Sequence, residues 1–562
     1  MMRIREQPLA ALQRTTVMPT LTLNGQSVDF EGRPTILQVA LDQGVELPHY
    51  CYHEGLSIVA SCRICLAEVA APNPRNENKV ELMPKLVPTC QTPASDGMVV
   101  YTKSPKAIAN QKAVMEFLLI NHPLDCPVCD QAGECHLQDY SYQYGRAQSR
   151  FEEDKIKNAT KDIGPHVKLY ADRCIMCSRC VRFTREVTGT GEIGVFGRGS
   201  AEEIDIFPGK PLDNELSGNV VDICPVGALL DKDFLFTQRV WFLKQTPSID
   251  GLTASGDNIG IHHNQGRVYR VKPRRNLDVN QWWISDEIRY GWQFVHSEAR
   301  LHEPKRMQLG TPETTTWQNA YDQARDGLKQ AVKDNGDGVI ALVASPMHAC
   351  EEAYLLGKLA RGLDAKALLA VGPIPTEGQD KTFPGRYTVR AEKCPNARGV
   401  RRALEHVGDG VLAFDDCVAT LAQKSSKIKA VIITGNYPSA WTTKDLAAGL
   451  RNKFVIAIDT LPNDVTARAD VLLPAATWVE KAGTFENADG RLQSFEQAIP
   501  PIEFTRAEGQ IALDLAAACG LAHGQTYNAA SVRDDMGGPF TTDVHHPDQH
   551  DVRTPDMQYV EL

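Results

Sequence analysis

The chain has 562 residues, a formal net charge of −10 and a pI near 5.9. This length is enough for roughly three or four domains, and the acidic balance argues against a nucleic-acid partner, which calls for a basic surface. No apolar run reaches the roughly eighteen residues that cross a bilayer, so any membrane link is expected to go through partners. The odd total of 15 cysteines, with no secretory signal, favours a reducing compartment over a disulfide framework.

Residues 1–17 are predicted to be an N-terminal extension. They carry Arg3, Arg5 and Arg14 but lack the apolar core of a secretory signal. A transit peptide is the alternative, and Glu6 opposes it. Translation starting at Met18, directly before the first predicted strand, is also compatible with the sequence.

Residues 18–100 begin with two strands and a helix. The segment TLTLNGQSVDF alternates apolar and polar residues on both sides of Asn24-Gly25, which predicts a β-hairpin. TILQVALDQG predicts a short helix that Gly44 ends. This order, followed by a cysteine-bearing loop, resembles the β-grasp fold of 2Fe-2S ferredoxins over about the first hundred residues.

Eleven of the cysteines lie between Cys51 and Cys224, and with one histidine they divide into three sets of four candidate ligands. Thiolates at two-residue spacing on loops suit iron–sulfur clusters, because a short loop must direct several soft donors at one inorganic core. The first set is Cys51, Cys62, Cys65 and Cys90; the second is His122, Cys126, Cys129 and Cys135; the third is Cys174, Cys177, Cys180 and Cys224.

The first set has the ligand count of either a 2Fe-2S cluster or a structural zinc ion. The β-grasp start favours 2Fe-2S. The ten residues between Cys51 and Cys62 exceed the four of simple plant-type ferredoxins and are similar to the enlarged loop in respiratory complex I. Cys90 is the only cysteine between residues 65 and 126, so it is assigned as the fourth ligand.

The second set lies in a predicted domain of residues 101–142, after a helix that Ser104-Pro105 starts and that ends near Ile120. Its spacing fits zinc as well as it fits iron. The phrase NHPLDCPVCDQAGECHLQDYS resembles the histidine-ligated 4Fe-4S motif of complex I and related hydrogenases. His122 is preferred over His136, which directly follows Cys135 and would have to fold back on the same cluster.

The third set lies in a loop-rich domain of residues 143–246. Bacterial two-cluster ferredoxins place a fourth cysteine where this chain has Thr184. Cys224, followed by Pro225, is the remaining candidate, and one 4Fe-4S cluster is predicted. Basic residues lie beside the candidate ligands, and either surface solubility or tuning of cluster potential accounts for them; they are Arg63, Arg173, Arg179 and Arg182.

Residues 247–524 are predicted to form a doubly wound α/β domain, with buried parallel strands at 338–345, 429–434 and 454–459. The segments 433–439 and 471–493 resemble the molybdopterin-oxidoreductase family. The matching start, 246–260, contains no cysteine, so the extra cluster of some relatives cannot form and no molybdopterin is expected. The later cysteines are single and are interpreted as small apolar residues: Cys350, Cys394, Cys417 and Cys519. Residues 525–562 are predicted to be a loosely ordered polar tail.

The order of these modules resembles the large iron–sulfur subunit family of NADH:quinone oxidoreductase, respiratory complex I. The resemblance implies an α/β multidomain protein that passes electrons from the flavin-bearing NADH-oxidising subunit toward the iron–sulfur subunits on the quinone side, within a complex that translocates protons. It implies one 2Fe-2S and two 4Fe-4S clusters, no catalytic acid, base or nucleophile, and an indirect link to the membrane arm. The expected location is peripheral on the cytoplasmic face of a bacterial inner membrane, with the mitochondrial matrix face as the alternative.

Two other functions share these motifs. An electron-entry subunit of an NAD-linked hydrogenase or formate dehydrogenase contains the same amino-terminal modules, but a catalytic subunit needs more cysteine groups or a metal ligand after residue 224. A zinc-stabilised structural scaffold is the second alternative, and metal analysis separates it from an electron carrier.

Overall fold

The computed structural model describes residues 18–542, so the predicted N-terminal extension (1–17) and the last part of the predicted tail lie outside the described residues. Within this range no helix is both long and apolar enough to cross a bilayer. The described chain forms a small amino-terminal sheet, a region of short elements that carries the cysteines, and a large α/β domain.

The amino-terminal domain is built on one mixed sheet with the strand order β2-β1-β6-β3-β4, and β5 pairs with β3. Its elements are β1 (Thr20–Leu23), β2 (Gln26–Asp29), α1 (Ile36–Asp42), β3 (Leu66–Asn73), β4 (Lys79–Leu82), β5 (Val87–Pro88) and β6 (Met98–Tyr101). The hairpin predicted at Asn24-Gly25 is present, and both residues have positive φ, as a tight turn of this kind requires. The predicted helix is confirmed as α1, which Thr35 caps.

The cysteine-bearing region consists of short elements joined by long loops. They are α2 (Pro105–Leu119), α3 (His136–Tyr144), β7 (Thr160–Asp162), β8 (Val167–Tyr170), α4 (Arg179–Arg182), β9 (Ile193–Phe196), β10 (Glu203–Ile206), α5 (Asn219–Ile223) and β11 (Leu229–Asp231). The helix predicted after Ser104 is confirmed as α2, and the Ser104 hydroxyl accepts a hydrogen bond from the Ala107 amide at its N-terminus. The loops bring ligand candidates from distant parts of the sequence together.

A three-stranded antiparallel sheet and one helix connect this region to the α/β domain. They are β12 (Lys244–Ile249), β13 (Asn258–Asn264), β14 (Arg267–Pro273) and α6 (Asp286–Tyr290). Arg270 of β14 makes a two-bond ion pair with Glu134, which directly precedes Cys135. This contact fixes the connecting sheet against the second cysteine set.

The α/β domain contains a seven-stranded sheet with the order β16-β15-β23-β22-β21-β17-β18. Its elements are β15 (Lys305–Gln308), β16 (Thr311–Thr314), α7 (Trp317–Asn335), β17 (Ile340–Ala344), α8 (Cys350–Leu363), β18 (Leu368–Val371), β19 (Lys381–Thr382), β20 (Thr388–Val389), α9 (Ala397–Val407), α10 (Phe414–Ala422), β21 (Ala430–Thr434), α11 (Lys444–Gly449), β22 (Phe454–Asp459), β23 (Val471–Pro474), β24 (Gly483–Glu486), β25 (Leu492–Phe495) and α12 (Glu508–Ala518).

The three predicted buried strands are confirmed as β17, β21 and β22, which pair in parallel. Side chains of β17 alternate between two hydrophobic cores, with Ile340 and Leu342 in one and Ala341 and Val343 in the other. Both faces of the sheet are therefore covered by helices, which explains the continuous apolar strand sequences.

The predicted loose tail is wrong for the part that the structure describes. Residues Ala529–Met536 form a further helix, α13, and Met536 and Phe540 are buried in the main core. The Arg533 guanidinium also donates a hydrogen bond of 3.0 Å to the buried Glu351 carboxylate. Residues 525–542 are consequently part of the α/β domain.

Candidate metal centres

The members of the first predicted set converge. The Cys51 thiol lies in hydrogen-bonding contact with Cys62 and Cys90, and these contacts lower the pKa of Cys51 well below that of an ordinary thiol. A hydrogen bond from Cys90 lowers the pKa of Cys65 to about 7. Cys90, the ligand candidate most distant in sequence, therefore contacts two other members of its set. The loop carrying Cys62 and Cys65 contains two non-glycine residues with positive φ, Ala60 and Arg63.

The third set lines one internal cavity. All four sulfur-bearing residues contribute to its wall, and Cys224 arrives from the end of α5, far downstream of the others. Burial raises the pKa of Cys174 to about 12 and that of Cys224 to about 11. A soft cation in this cavity would offset that effect by binding the thiolates.

The second set lies directly against the loop that closes the third. An added Cβ at Gly227, three residues after Cys224, would lie 2.3 Å from the Cys129 sulfur. The Pro225 carbonyl accepts a hydrogen bond of 3.1 Å from the His136 amide. Gly227 was not recognised from the sequence, although a glycine directly after Cys-Pro-Val is a signal for close backbone approach.

The two competing histidines of the second set face different neighbours. His122 is half-buried. Burial lowers the pKa of its ring, and the charges of Asp125 and Arg173 also act on it. Arg173 is also the main charge acting on Cys129, which places His122 and Cys129 around the same guanidinium. His136 is also half-buried, but its ring faces Arg179 and His49, and desolvation lowers its pKa to about 3. These neighbours of His136 lie beside cysteines of the first and third sets, not beside Cys129.

Backbone amides donate to several candidate ligand sulfurs. The Met176 amide lies 3.4 Å from the Cys174 sulfur, and amides of the loop after Cys224 lower the pKa of that thiol. Amides of Leu137 and Gln138, in the first turn of α3, act in the same way on Cys135. Such N–H donors stabilise thiolates and raise the potential of a cluster that they bind.

Three of the four arginines noted beside the sulfurs are buried, with exposed fractions of 4% for Arg173, 5% for Arg179 and 7% for Arg182. The Arg179 guanidinium donates to the Tyr52 and Ile223 carbonyls. Only Arg63 is exposed. Surface solubility therefore does not account for the three buried guanidinium groups, which connect the cysteine loops.

The loop between β12 and β13, in the cysteine-free segment 246–260, contains a buried polar network. The buried Asp250 carboxylate accepts hydrogen bonds from the Leu252 and Thr253 amides and from the Thr253 and Ser255 hydroxyls. The single later cysteines are buried, as expected for small apolar residues.

Several family models match consecutive parts of the chain. A 2Fe-2S iron-sulfur cluster binding domain matches 17–105, the NADH-ubiquinone oxidoreductase-G iron-sulfur binding region 111–150, and the NADH-quinone oxidoreductase subunit 3 ferredoxin-like domain 164–230. The molybdopterin oxidoreductase model matches 402–518. An NDSU1/NuoG-like 4Fe-4S domain matches 243–293, a range that contains no cysteine in this chain.

A relative from Rickettsia felis, the NADH-quinone oxidoreductase G subunit (NuoG), is 30% identical over 89% of this chain and 87% of its own length. The chain belongs to the NuoG family. The 75 kDa subunit of NADH-ubiquinone oxidoreductase from Reclinomonas americana, another relative in this family, is 42% identical over 61% of this chain and 47% of its own length. The chain thus spans about half the length of some curated members and most of others.

Members of the NuoG family are iron–sulfur subunits of an oxidoreductase complex, and the predicted module order is that of this family. Among solved structures, a chain of an NAD+-reducing [NiFe]-hydrogenase is 30% identical with a TM-score of 0.34, covering 40% of this chain and 91% of that chain. Acetylene hydratase from Pelobacter acetylenicus is 9% identical with a TM-score of 0.33, covering 49% of this chain and 69% of that chain.

Proposed function

We propose that this subunit carries electrons through one 2Fe-2S and two 4Fe-4S clusters held by the three ligand sets. Cys51, Cys62, Cys65 and Cys90 hold the binuclear cluster. His122, Cys126, Cys129 and Cys135 hold one tetranuclear cluster, and Cys174, Cys177, Cys180 and Cys224 hold the other. The observation that carries the proposal is the single cavity lined by all four cysteines of the third set. A cluster bound by all four thiolates explains why Cys224, distant in sequence, lies beside the other three.

Contacts between the three sets support electron transfer from one to the next. Cys51 of the first set, Cys135 of the second and Cys177 of the third belong to one cluster of buried residues. Tunnelling requires short distances and a dry interior, and both follow from this common packing. When bound, the clusters supply the one-electron redox chemistry; the chain holds them, excludes water and places charge beside them.

His122, and not His136, is proposed as the nitrogen ligand of the second cluster. It shares the surroundings of Arg173 with Cys129, whereas His136 faces Arg179 and His49. A neutral imidazole in place of a thiolate makes the cluster less negative by one charge, which raises its potential relative to an all-cysteine cluster.

Membership of the family supports a proposal for the partners. The subunit receives electrons from a flavin-bearing NADH-oxidising subunit and delivers them to iron–sulfur subunits near the quinone site, and it contacts the membrane arm only through them. Its proposed place is the cytoplasmic face of a bacterial inner membrane.

The test is metal analysis with EPR of the anaerobically purified chain. We expect about ten irons with matching sulfide per chain, and one binuclear and two tetranuclear signals on stepwise reduction. Cys224→Ser should remove the third-set signal, while Cys417→Ser, a buried cysteine outside the three sets, should leave every signal in place. Stoichiometric zinc without iron in these sets would support the structural-scaffold alternative and overturn the proposal.

A further inference from the structure

A second group of candidate metal ligands lies in the α/β domain, far in sequence from the cysteine sets. His348 precedes α8, Glu352 lies in the first turn of that helix, and Glu508 begins α12. The side chains of all three residues are fully buried. His348 follows the carboxyl end of β17, and ligand sites of open α/β sheets form at this edge.

The Lys481 ammonium group forms ion pairs with both carboxylates of this cluster but makes no hydrogen bond to the His348 ring. Lys481 Nζ lies 2.8 Å from Glu352 Oε2 and 2.5 Å from Glu508 Oε2. Glu352 Oε1 has no hydrogen-bond partner among the described residues, and the same is true of both ring nitrogens of His348. The lysine therefore occupies one oxygen of each carboxylate. Of the remaining oxygens, Glu508 Oε1 accepts a hydrogen bond from the Asn436 side-chain amide, whereas Glu352 Oε1 is unpartnered.

The His348 ring lies beside both carboxylates. His348 Nδ1 lies 3.4 Å from Glu508 Oε1, without hydrogen-bond geometry, and 4.0 Å from Glu352 Oε2. One ligand atom from each of the three residues can be chosen so that all lie within 4.8 Å of one another. Ligands about 2.0–2.2 Å from a tetrahedral metal are separated by roughly 3.3–3.6 Å. The His348–Glu508 pair already has this spacing, and the widest separation allowed by the 4.8 Å limit would have to close by about 1.2 Å around an ion.

Charge balance calls for a cation. Two carboxylates beside one ammonium leave an excess of negative charge in a fully buried place unless a proton or another cation compensates it. An uncompensated buried charge is strongly unfavourable, and either a proton shared by Glu352 and Glu508 or a metal ion removes it. The proton leaves the two imidazole nitrogens unpartnered, whereas a metal ion uses one of them.

We propose that His348, Glu352 and Glu508 bind one divalent transition-metal ion, a site separate from the iron–sulfur clusters. One imidazole nitrogen with two carboxylate oxygens is a donor set that suits Zn²⁺. Lys481 also lines a cavity of about 660 Å³ whose wall includes Arg506, Tyr527 and Arg533, and this cavity is the proposed side from which an ion enters.

The experiment uses the full chain with its iron content measured, so that zinc in unfilled cysteine sites is recognised. The protein is incubated with Zn²⁺, passed through a desalting column and analysed for both metals. We expect about one retained zinc in the wild type and at least a tenfold loss of zinc affinity in His348→Leu and Glu508→Gln, with iron unchanged. The exposed His406→Leu and Glu496→Gln are the matched controls and should keep the zinc.

Lys481→Met separates the metal site from a proton-sharing ion-pair cluster. Removing the ammonium leaves both carboxylates for the ion, so the variant should bind Zn²⁺ more tightly than the wild type and gain more thermal stability from it. If either ligand variant does not fold, this variant and the zinc-dependent shift of the wild-type melting temperature carry the test. A wild type that retains no zinc, ligand variants that retain it, or Lys481→Met that binds none overturns the proposal, whatever the iron content.

Discussion

The Arg182 guanidinium donates a hydrogen bond of 2.5 Å to the backbone carbonyl of Cys51, 131 residues earlier in the chain. The same nitrogen lies 3.3 Å from the Cys177 carbonyl. One buried positive group thus connects the loop of the first ligand set to that of the third.

Replacing Arg182 by Gln should therefore loosen two ligand loops together. The carbonyls of Cys51 and Cys177 lose a charged donor, and the expected loss of stability is about 1–3 kcal/mol. Chemical denaturation of the variant checks this, with Arg185→Gln, an exposed position on the same helical segment, as the control. Equal stability of the two variants would contradict the bridging role.

Arg179→Gln should lower the midpoint potential of the third-set cluster. The buried guanidinium lies near Cys177 and Cys224, and a positive charge favours the reduced, more negative cluster. A shift on the order of 60 mV corresponds to about 1.4 kcal/mol in a one-electron couple. Redox titration followed by EPR measures it, and the exposed Arg198→Gln is the control. An unmoved potential rules out tuning by this residue.

Gly227→Ala should damage the second ligand set although it lies in the loop of the third. The added methyl carbon would approach the Cys129 sulfur to 2.3 Å, so the sulfur or the loop has to move. We expect loss or alteration of the histidine-ligated 4Fe-4S signal and a lower iron content. Gly524→Ala, where an added Cβ has no neighbour within 4 Å, should leave the spectrum unchanged. A normal second-set signal in Gly227→Ala would show that the loops separate more easily than their packing indicates.

His122→Ala should remove iron from the second cluster, whereas His136→Ala should retain it. His122 shares the surroundings of Cys129, whereas the half-buried His136 packs beside Tyr140. Iron analysis together with the EPR spectrum of each variant distinguishes the two residues. The opposite pattern would assign the ligand to His136.

The contribution of Asp257 to the free energy of unfolding should fall as pH rises. Burial raises the pKa of this carboxyl group from 3.8 to about 8, with nearby Asp250 as a further cause. The folded state therefore keeps a proton that the unfolded state releases above 3.8, so the contribution is complete below that pH and is lost as pH rises through about 8. The stability of Asp257→Asn relative to wild type should improve by up to about 1.4 kcal/mol per pH unit across this window. Denaturation at several pH values measures the difference, and a constant difference would contradict the raised pKa.

Local sequence signals predicted local structure well. Asn24-Gly25 specified its hairpin, Ser104 capped its helix, and three apolar runs formed the central parallel strands. Helix α13 was missed because its sequence is polar, and it is held by tertiary contacts such as the Arg533–Glu351 ion pair. Local spacing carries no information about such partners.

The candidate ligands were recognisable because metal chemistry restricts residue type and spacing. The contacts that position them were not, since Arg182 and Gly227 act on ligands that lie far away in sequence. The buried group around His348 gave no signal either, because its members are spread from His348 to Glu508 and meet only where sheet and helix ends converge.

The long sequence separation of Cys224 from the rest of its set has a consequence for biosynthesis. A nascent chain that has not yet emerged beyond α5 presents three thiols of that cavity, too few to complete a four-ligand cofactor. Because the segment that follows also lies against Cys129, we expect assembly of both proposed tetranuclear centres to wait until the same late stretch of polypeptide has left the ribosome.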